Sequence, residues 1–279
     1  MADNTSNQIQ YREEFIAGYE QSKSLVTNTV TTEAVFKGNQ ATFLVADTGD
    51  AEAVTRGTNG LIPSRTDNLN QYTATLVEWH DKPRRTSFNI FASQGDGRRI
   101  MQEGTRKVMN RKVDQDIITE LNSAGNTNDT GAAQTADLSL VMYGLTILGN
   151  NEVENDGNIS ALITPAFHAY LMQTKEFASA DYVNNKPFSG QPMAYTWAGI
   201  NFIVHPRLPG KGTNAEKCFL YHKSAIGHAI NNGGMQVVAG YNEEDDYSFA
   251  RTSCFMGAKT LQTSGIVILN HDGSAYAAQ

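Results

Sequence analysis

The sequence predicts an α+β fold, on three observations. Strand-like stretches gather toward the two ends of the chain, in residues 31–93 and in the C-terminal third. A long helical apolar repeat lies between them, over residues 96–124. The remaining helices and strands are interspersed without the strict alternation that builds a parallel βαβ sheet.

Residues 1–10 are polar, and residues 9–28 carry Tyr11, Phe15 and Tyr19 at successive i+4 spacings. That spacing gives an amphipathic helix or an arm with one sticky face. Phe43-Leu44-Val45 and Thr73–Trp79 are strand candidates, joined by the polar stretch Asp47–Gln71 with Gly60 and Pro63 inside it. Two strands with so long a polar connection make an extended hairpin. Such a hairpin cannot bury both faces on its own chain and needs another surface to lie on.

The helix over 96–124 has Asp96 as its expected N-cap and a stripe of Ile100, Gly104, Val108, Val113, Ile117 and Leu121. At ~1.5 Å per residue it is about 40 Å long. Arg98, Arg99, Arg106, Lys107, Arg111 and Lys112 crowd its first two-thirds, and a Gly/Asn/Thr tract from Gly125 ends it. A further helix is expected from about Asp137 to Asn150, then a strand over Ile159–Ile163. Thr164-Pro165 should open a helix running to about Thr174, with Pro165 at its first position. Ile200–Val204 and Cys218–Tyr221 read as strands, the second leading into a short helix around Ser224–Ile230. Gln236–Tyr241, Phe249–Met256 and Ile266–Leu269 return to strand.

The chain has 279 residues, enough for one large domain or two moderate ones, with 40 % hydrophobic and 18 % charged residues. The charged fraction is low for a globular chain, and Asn, Gln, Thr and Ser fill the difference, which suits broad, wet protein–protein contacts. A formal charge of −7 disfavours nucleic acid as a whole-chain partner, so any contact with DNA requires a local basic face. Cys218 and Cys254 are the two cysteines, without a disulfide framework or metal-ligand spacing. The polar N-terminus does not read as a signal peptide, and no apolar run reaches the ~18–20 residues of a membrane span. The expectation is a soluble chain made in a reducing cytoplasm.

Catalytic patterns are weak. Asp47-Thr48-Gly49 matches the tripeptide of aspartic proteases, in which two aspartates share a proton. It is followed by Asp50 and lacks a downstream apolar-apolar-Gly segment, and the same residues are turn formers. Pro209-Gly210-Lys211-Gly212-Thr213 has the Gly-Lys of a phosphate loop, but His205 stands where the pattern needs its first glycine. His222 and His228, near Cys218, are not spaced for one helical face, so no metal or other cofactor is expected. Neither Gly-x-Ser-x-Gly nor His-Glu-x-x-His occurs. The chain therefore reads as a non-enzyme.

Two charge clusters stand out: Lys82-Pro83-Arg84-Arg85 and Glu243-Glu244-Asp245-Asp246. Arg84 and Arg85 meeting Glu243, Glu244, Asp245 and Asp246 across a subunit contact would set register more than affinity. Tyr11, Phe15 and Tyr19 are the apolar contact candidates. Arg99, Arg106, Lys107 and Arg111 form the helix face that could meet DNA phosphates.

The order of parts, together with three stretches, resembles the HK97-fold major capsid proteins of tailed bacteriophages. Ile159–Leu171 is similar to the strand-then-helix entering that family's axial domain. Trp197–Val204 through Leu208-Pro209, and then Tyr221–Gly227, resemble the segments that follow it. The resemblance spans nearly the whole chain, through the order of several weak matches. It implies an HK97-like capsid fold: an N-terminal arm over 1–36, an extended E-loop hairpin opening the peripheral domain over 37–93, and the peripheral domain with its spine helix over 94–158. An axial domain follows over 159–235, then the returning peripheral strands and C-terminus over 236–279. It implies hexamers and pentamers closing an icosahedral head around double-stranded DNA, a portal and a separate scaffolding protein, a possible decoration protein, and no membrane. It places the protein in the virion after assembly in the host cytoplasm. The N-terminal scaffolding domain of about a hundred residues, present in some members of that family, is not expected here. The founding member's Lys–Asn cross-link is not expected either: Lys37 and Lys82 have no assignable partner. Encapsulin shells, which share the fold and enclose enzymes, are the neighbouring alternative, and an aspartic protease using Asp47 is the enzymatic one.

Overall fold

The computed structural model describes residues 20–35, 37–48, 51–65, 68–92, 97–123, 128–178 and 194–276. Its first strands are β1 (Thr31–Val35), β2 (Gln40–Asp47), β3 (Asn68–Thr75), β4 (Val77–Asp81) and β5 (Arg84–Thr86). Helices α1 (Ser87–Ala92), α2 (Gly97–Leu121) and α3 (Leu138–Asn150) come next, then β6 (Ile159–Ile163), α4 (Pro165–Leu171) and α5 (Lys175–Ala178). The chain closes with β7 (Ala194–Trp197), β8 (Ile200–Val204), β9 (Glu216–His222), β10 (Ile226–Asn231), β11 (Gln236–Asn242), β12 (Tyr247–Thr260) and β13 (Ile266–His271). The class is α+β.

The chain divides into two compact units. The first gathers residues 1–24, 78–112 and 233–254, and the second 25–77, 113–232 and 255–279. In the first, β11 and the opening half of β12 form an antiparallel hairpin, with β5 on the other side of β12. In the second, β9, β6, β8, β7 and β13 form a five-stranded sheet in the order β13-β9-β6-β8-β7. All five residues of β6 are buried there, as are Leu220, Tyr221 and Phe202 on its neighbours. This doubly covered central strand is why Ile159–Ile163 reads as a continuous apolar run. A second sheet in the same unit sets β1 parallel to β10, and β10 antiparallel to the closing half of β12.

Two helices open on side-chain caps, the one at Thr164 as expected and one at Asp137 that the sequence marks only as a helix start. Leu140 N donates to Asp137 Oδ1 at 2.8 Å to start α3, and Phe167 N donates to Thr164 Oγ1 at 3.1 Å to start α4, with Pro165 at its first position. Asp96 lies outside the described residues. Helix α4 ends at Leu171, short of Thr174.

Three expectations change. Along α2 the buried side chains Met101, Thr105, Met109, Val113, Ile117 and Leu121 make an unbroken i+4 row, with Asp114 and Ile118 buried beside it, whereas Val108 is exposed. The expected stripe needed a five-residue step between Val108 and Val113, and that rotates the face by about 140°. Residues 224–230 are not a helix: a 3-10 turn at Lys223–Ala225 leads directly into β10. Strand pairing on both sides, to Gly227–Asn231 from β1 and to Ile226–Ile230 from β12, overrides the local pattern. Finally, the strands of the hairpin reach further inward than expected, pairing in register from Gln40↔Thr75 to Asp47↔Asn68. The unpaired connection shortens accordingly, and residues 77–81 form the separate β4.

Candidate functional site

The hairpin β2–β3 has two unlike faces, as the period of a strand requires. On one face Ala41, Phe43 and Ala74 are buried with Ala229 and Leu261, and Val35, Val45, Tyr72 and Leu76 pack against that cluster. Two glycines admit the hairpin's base. A Cβ on Gly227 would stand 2.8 Å from the Phe43 ring, and one on Gly257 would stand 2.2 Å from the carbonyl oxygen of Thr75. On the other face Leu44 and Leu69 are 68 % and 70 % exposed.

Beyond Asp47 the chain leaves its own core. Every residue described from 51 to 65 is exposed, including Val54, Leu61 and Ile62. A turn at Gly57–Gly60 folds the tip, with Gly60 N donating to Gly57 O at 2.9 Å and Gly57 N to Leu61 O at 3.1 Å. Five large aliphatic side chains thus lie in water on one narrow extension. Covering each returns ~1.5–3 kcal/mol of transfer free energy. These five were not among the contact residues expected from the sequence. The signal for them was faint but present: isolated Val, Leu and Ile inside an otherwise polar stretch.

The two charge clusters lie on adjoining strands of one unit. Glu243–Asp246 form the turn between β11 and β12, and β5 brings Arg85 opposite Ser248 and Arg84 opposite Phe249. The Arg84 guanidinium lies 4.9 Å from the Tyr247 ring, and Lys82 Nζ 4.4 Å from that of Phe249. Asp246 is engaged inside the turn: its Oδ1 accepts from Ser87 Oγ at 2.6 Å and Tyr241 OH at 2.5 Å. These bonds, Ser87 first, hold its carboxyl below the usual aspartate range. The carboxylates of Glu243, Glu244 and Asp245 form no ion pair with any described residue.

The basic helix face is only partly open. Arg99 pairs with Glu103 one turn on, at 3.1 Å, and Arg106 is exposed. Lys107 is half-buried. Arg111 is 18 % exposed and 3.9 Å from Glu20, and Lys112 Nζ lies 3.8 Å from the Trp79 ring centre. Tyr11, Phe15 and Tyr19 lie outside the described residues.

The motifs with a chemical look resolve into structure. Gly212 N donates to the buried Glu216 Oε1 at 2.6 Å, so a carboxylate of the chain already sits where a phosphate loop would hold its anion. The other oxygen of Glu216 accepts from Thr164 Oγ1 at 2.6 Å, tying the loop to the cap of α4. His222 caps the 3-10 turn through Nδ1, which accepts from Ser224 N at 3.3 Å, while its Nε2 lies 3.1 Å from Asp156. Asp47 ends β2, in register with Asn68 on the extension. A second Asp-Thr-Gly stands at 129–131. There Gly131 N donates to Asp129 Oδ1 at 2.9 Å and Asn270 N to Thr130 Oγ1 at 3.0 Å, which makes it a turn laid beside β13. Among the described residues no group of three or more His, Cys, Asp or Glu is arranged to hold a metal ion, and no helix is long and apolar enough to cross a membrane.

Comparison with known proteins points one way. The family model described as phage capsid protein matches residues 3–273. None of the curated proteins matches. Among solved structures, the capsid of cyanophage Pam1 superposes with a TM-score of 0.75 at 10 % identity, covering 98 % of this chain and 99 % of that one. A chain of Mycobacterium phage Che8 gives 0.73 at 14 % identity, over 96 % and 98 %. The capsid of a native GTA particle gives 0.70 at 14 % identity, over 96 % of each.

Proposed function

The chain belongs to the phage capsid protein family, and on that premise we propose that its copies assemble through the 37–93 extension into the hexamers and pentamers of a phage head around double-stranded DNA. It is a structural major capsid protein with the HK97-like fold, a component of the icosahedral shell and hence of the virion. Its role in the particle is mechanical, without catalysis.

The single observation that carries the mode of assembly is the bare aliphatic extension. Leu44, Val54, Leu61, Ile62 and Leu69 have no cover among the described residues of their own subunit, and a neighbouring copy supplies one. In this reading residues 1–36 are an N-terminal arm and α2 is the spine of a peripheral domain, 94–158, to which 236–279 return. Residues 159–235 form the axial domain around each capsomer centre. Arg84 and Arg85 of one copy face Glu243, Glu244 and Asp245 of another and set register. Arg99 and Arg106 are the helix residues left to meet packaged DNA through phosphates. A portal, a separate scaffolding protein and, where the shell needs strengthening, a decoration protein complete the partners, and assembly takes place in the host cytoplasm.

The test is a deletion of residues 48–67, joining Asp47 to Asn68 through Asn-Gly. Those two residues are register partners, so a two-residue turn closes the shortened hairpin without disturbing its ladder. The variant should fold with its core intact and fail to form closed particles in electron micrographs. Particles of normal shape and stability from this variant would overturn the role of the extension.

A further inference from the structure

At the tip of the extension the chain carries the dipeptide Asn59-Gly60. Asn59 and Gly60 are both exposed, and among the described residues the Asn59 side chain has no hydrogen-bond partner. Gly60 has no Cβ to shield its nitrogen and sits at φ +71°, with nothing within 4 Å of the place a Cβ would take. Among the described residues, the bond its nitrogen makes is to Gly57 O, an exposed turn bond that water can replace. Every described residue from 51 to 65 is exposed, so among the described residues nothing packs on the tip to hold its backbone in one conformation.

We propose that Asn59-Gly60 is a site of spontaneous deamidation that adds a negative charge to the tip of the extension. The deprotonated Gly60 nitrogen attacks Asn59 Cγ, the Cγ–amide nitrogen bond breaks, and ammonia leaves with the proton. The resulting succinimide takes up one water and opens to aspartate or isoaspartate. No oxidant, metal or enzyme is required. The product carries a carboxylate two residues before Leu61 and three before Ile62, so covering those side chains afterward means burying or pairing a charge that the fresh chain lacks. An isoaspartyl product also adds a backbone methylene inside the Gly57–Gly60 turn. The tip thereby records the age of an unassembled subunit.

The inference concerns the chain's own chemistry, and only its second arm rests on the proposed assembly. In the first arm the full-length unassembled protein is aged in mildly alkaline buffer and digested with trypsin, which releases residues 57–65 between Arg56 and Arg65. That peptide should grow a product heavier by about 1 Da, the difference between OH and NH2, and release isoaspartate, with Asn59→Gln abolishing both. A synthetic peptide of the same nine residues is aged alongside. If the peptide deamidates while the protein's tip does not, the turn protects the site and the proposal is overturned. In the second arm assembled particles are aged under the same conditions. Slower reaction there supports the tip being covered by a neighbour. An equal rate leaves the modification standing and counts against the covered tip alone.

Discussion

Phe43 decides where the extension begins. Its ring enters the cluster of Ala41, Ala74, Ala229 and Leu261 only because residue 227 is a glycine, and the strand end at Thr75 comes in only because residue 257 is one. Gly257→Ala places a methyl 2.2 Å from a backbone oxygen, which no rotamer change relieves. It should cost ~1–3 kcal/mol or more, read as a lower urea midpoint, with the loss of protection in hydrogen exchange centred on β3. Gly227→Ala meets a side-chain ring instead and should cost less, because Phe43 can shift. If the two variants are equally stable, the glycines are not what admits the hairpin. Elsewhere single residues do quieter work. Glu216, fully buried, joins Gly212 to Thr164, and Asp114 on α2 accepts from Leu25 N at 3.1 Å and Val26 N at 3.4 Å. Neither role was legible in the sequence, since an acidic residue on a strand or helix gives no sign of a partner tens of positions away.

Among the elements, the hairpin of β11 and β12 gathers the charge. Its acidic turn and the basic β5 lie side by side in one unit, so the two clusters are not free to choose any geometry toward a partner. The contact proposed for them is reciprocal: the same small surface offers both signs. Reversing Arg85 to Glu should slow assembly and make it less sensitive to salt, because charge pairs at an interface act mainly on encounter and register. Combining it with Glu243→Arg and Glu244→Arg should restore particle yield if these groups meet across copies. Light scattering at low and high salt follows both. Loss of assembly in the combined variant equal to the sum of the separate losses would place the contact elsewhere. The arrangement was half legible: the clusters were plain in the sequence, their proximity was not, because β5 and β12 are more than 150 residues apart.

For the molecule as a whole, pH acts through histidines. Burial pushes His168, His228 and His271 below the ordinary value of 6.5, and for His228 the nearby Asp116 and Asp114 only partly oppose it. A base whose folded pKa is depressed binds its proton more readily in the unfolded chain. Its contribution is therefore fully present above pH 6.5 and is lost as pH falls through that value. Asp156, held at about 2 first by its bonds from Asn158, follows the opposite rule: its contribution is present above the ordinary aspartate value of 3.8 and fades as pH falls toward about 2. Between about pH 7.5 and about pH 5.5 the histidines alone should act, and the urea midpoint of the unassembled subunit should fall. His228→Leu should flatten that slope, because both ring nitrogens of His228 are buried without a hydrogen-bond partner among the described residues. A midpoint that holds or rises over this interval would show that the imidazoles gain partners on protonation.

The amino-acid sequence by itself determined the α+β class, the long helix, the cap at Thr164, and the buried strand Ile159–Ile163. Each of these is written in neighbouring residues, as a period, a cap or an apolar run. It also marked the polar stretch after Phe43 as a hairpin that its own chain cannot cover. Tertiary structure alone decided that residues 226–231 are a strand, since partners from both ends of the chain outweigh a local preference. It decided which row of α2 faces inward, because the sheet beneath a helix and not the best-looking stripe chooses the face. It decided that a glutamate fills the loop of Gly210-Lys211-Gly212. And it left Leu44, Val54, Leu61, Ile62 and Leu69 exposed on the extension, because exposure belongs to a folded surface and is invisible in a string of residues.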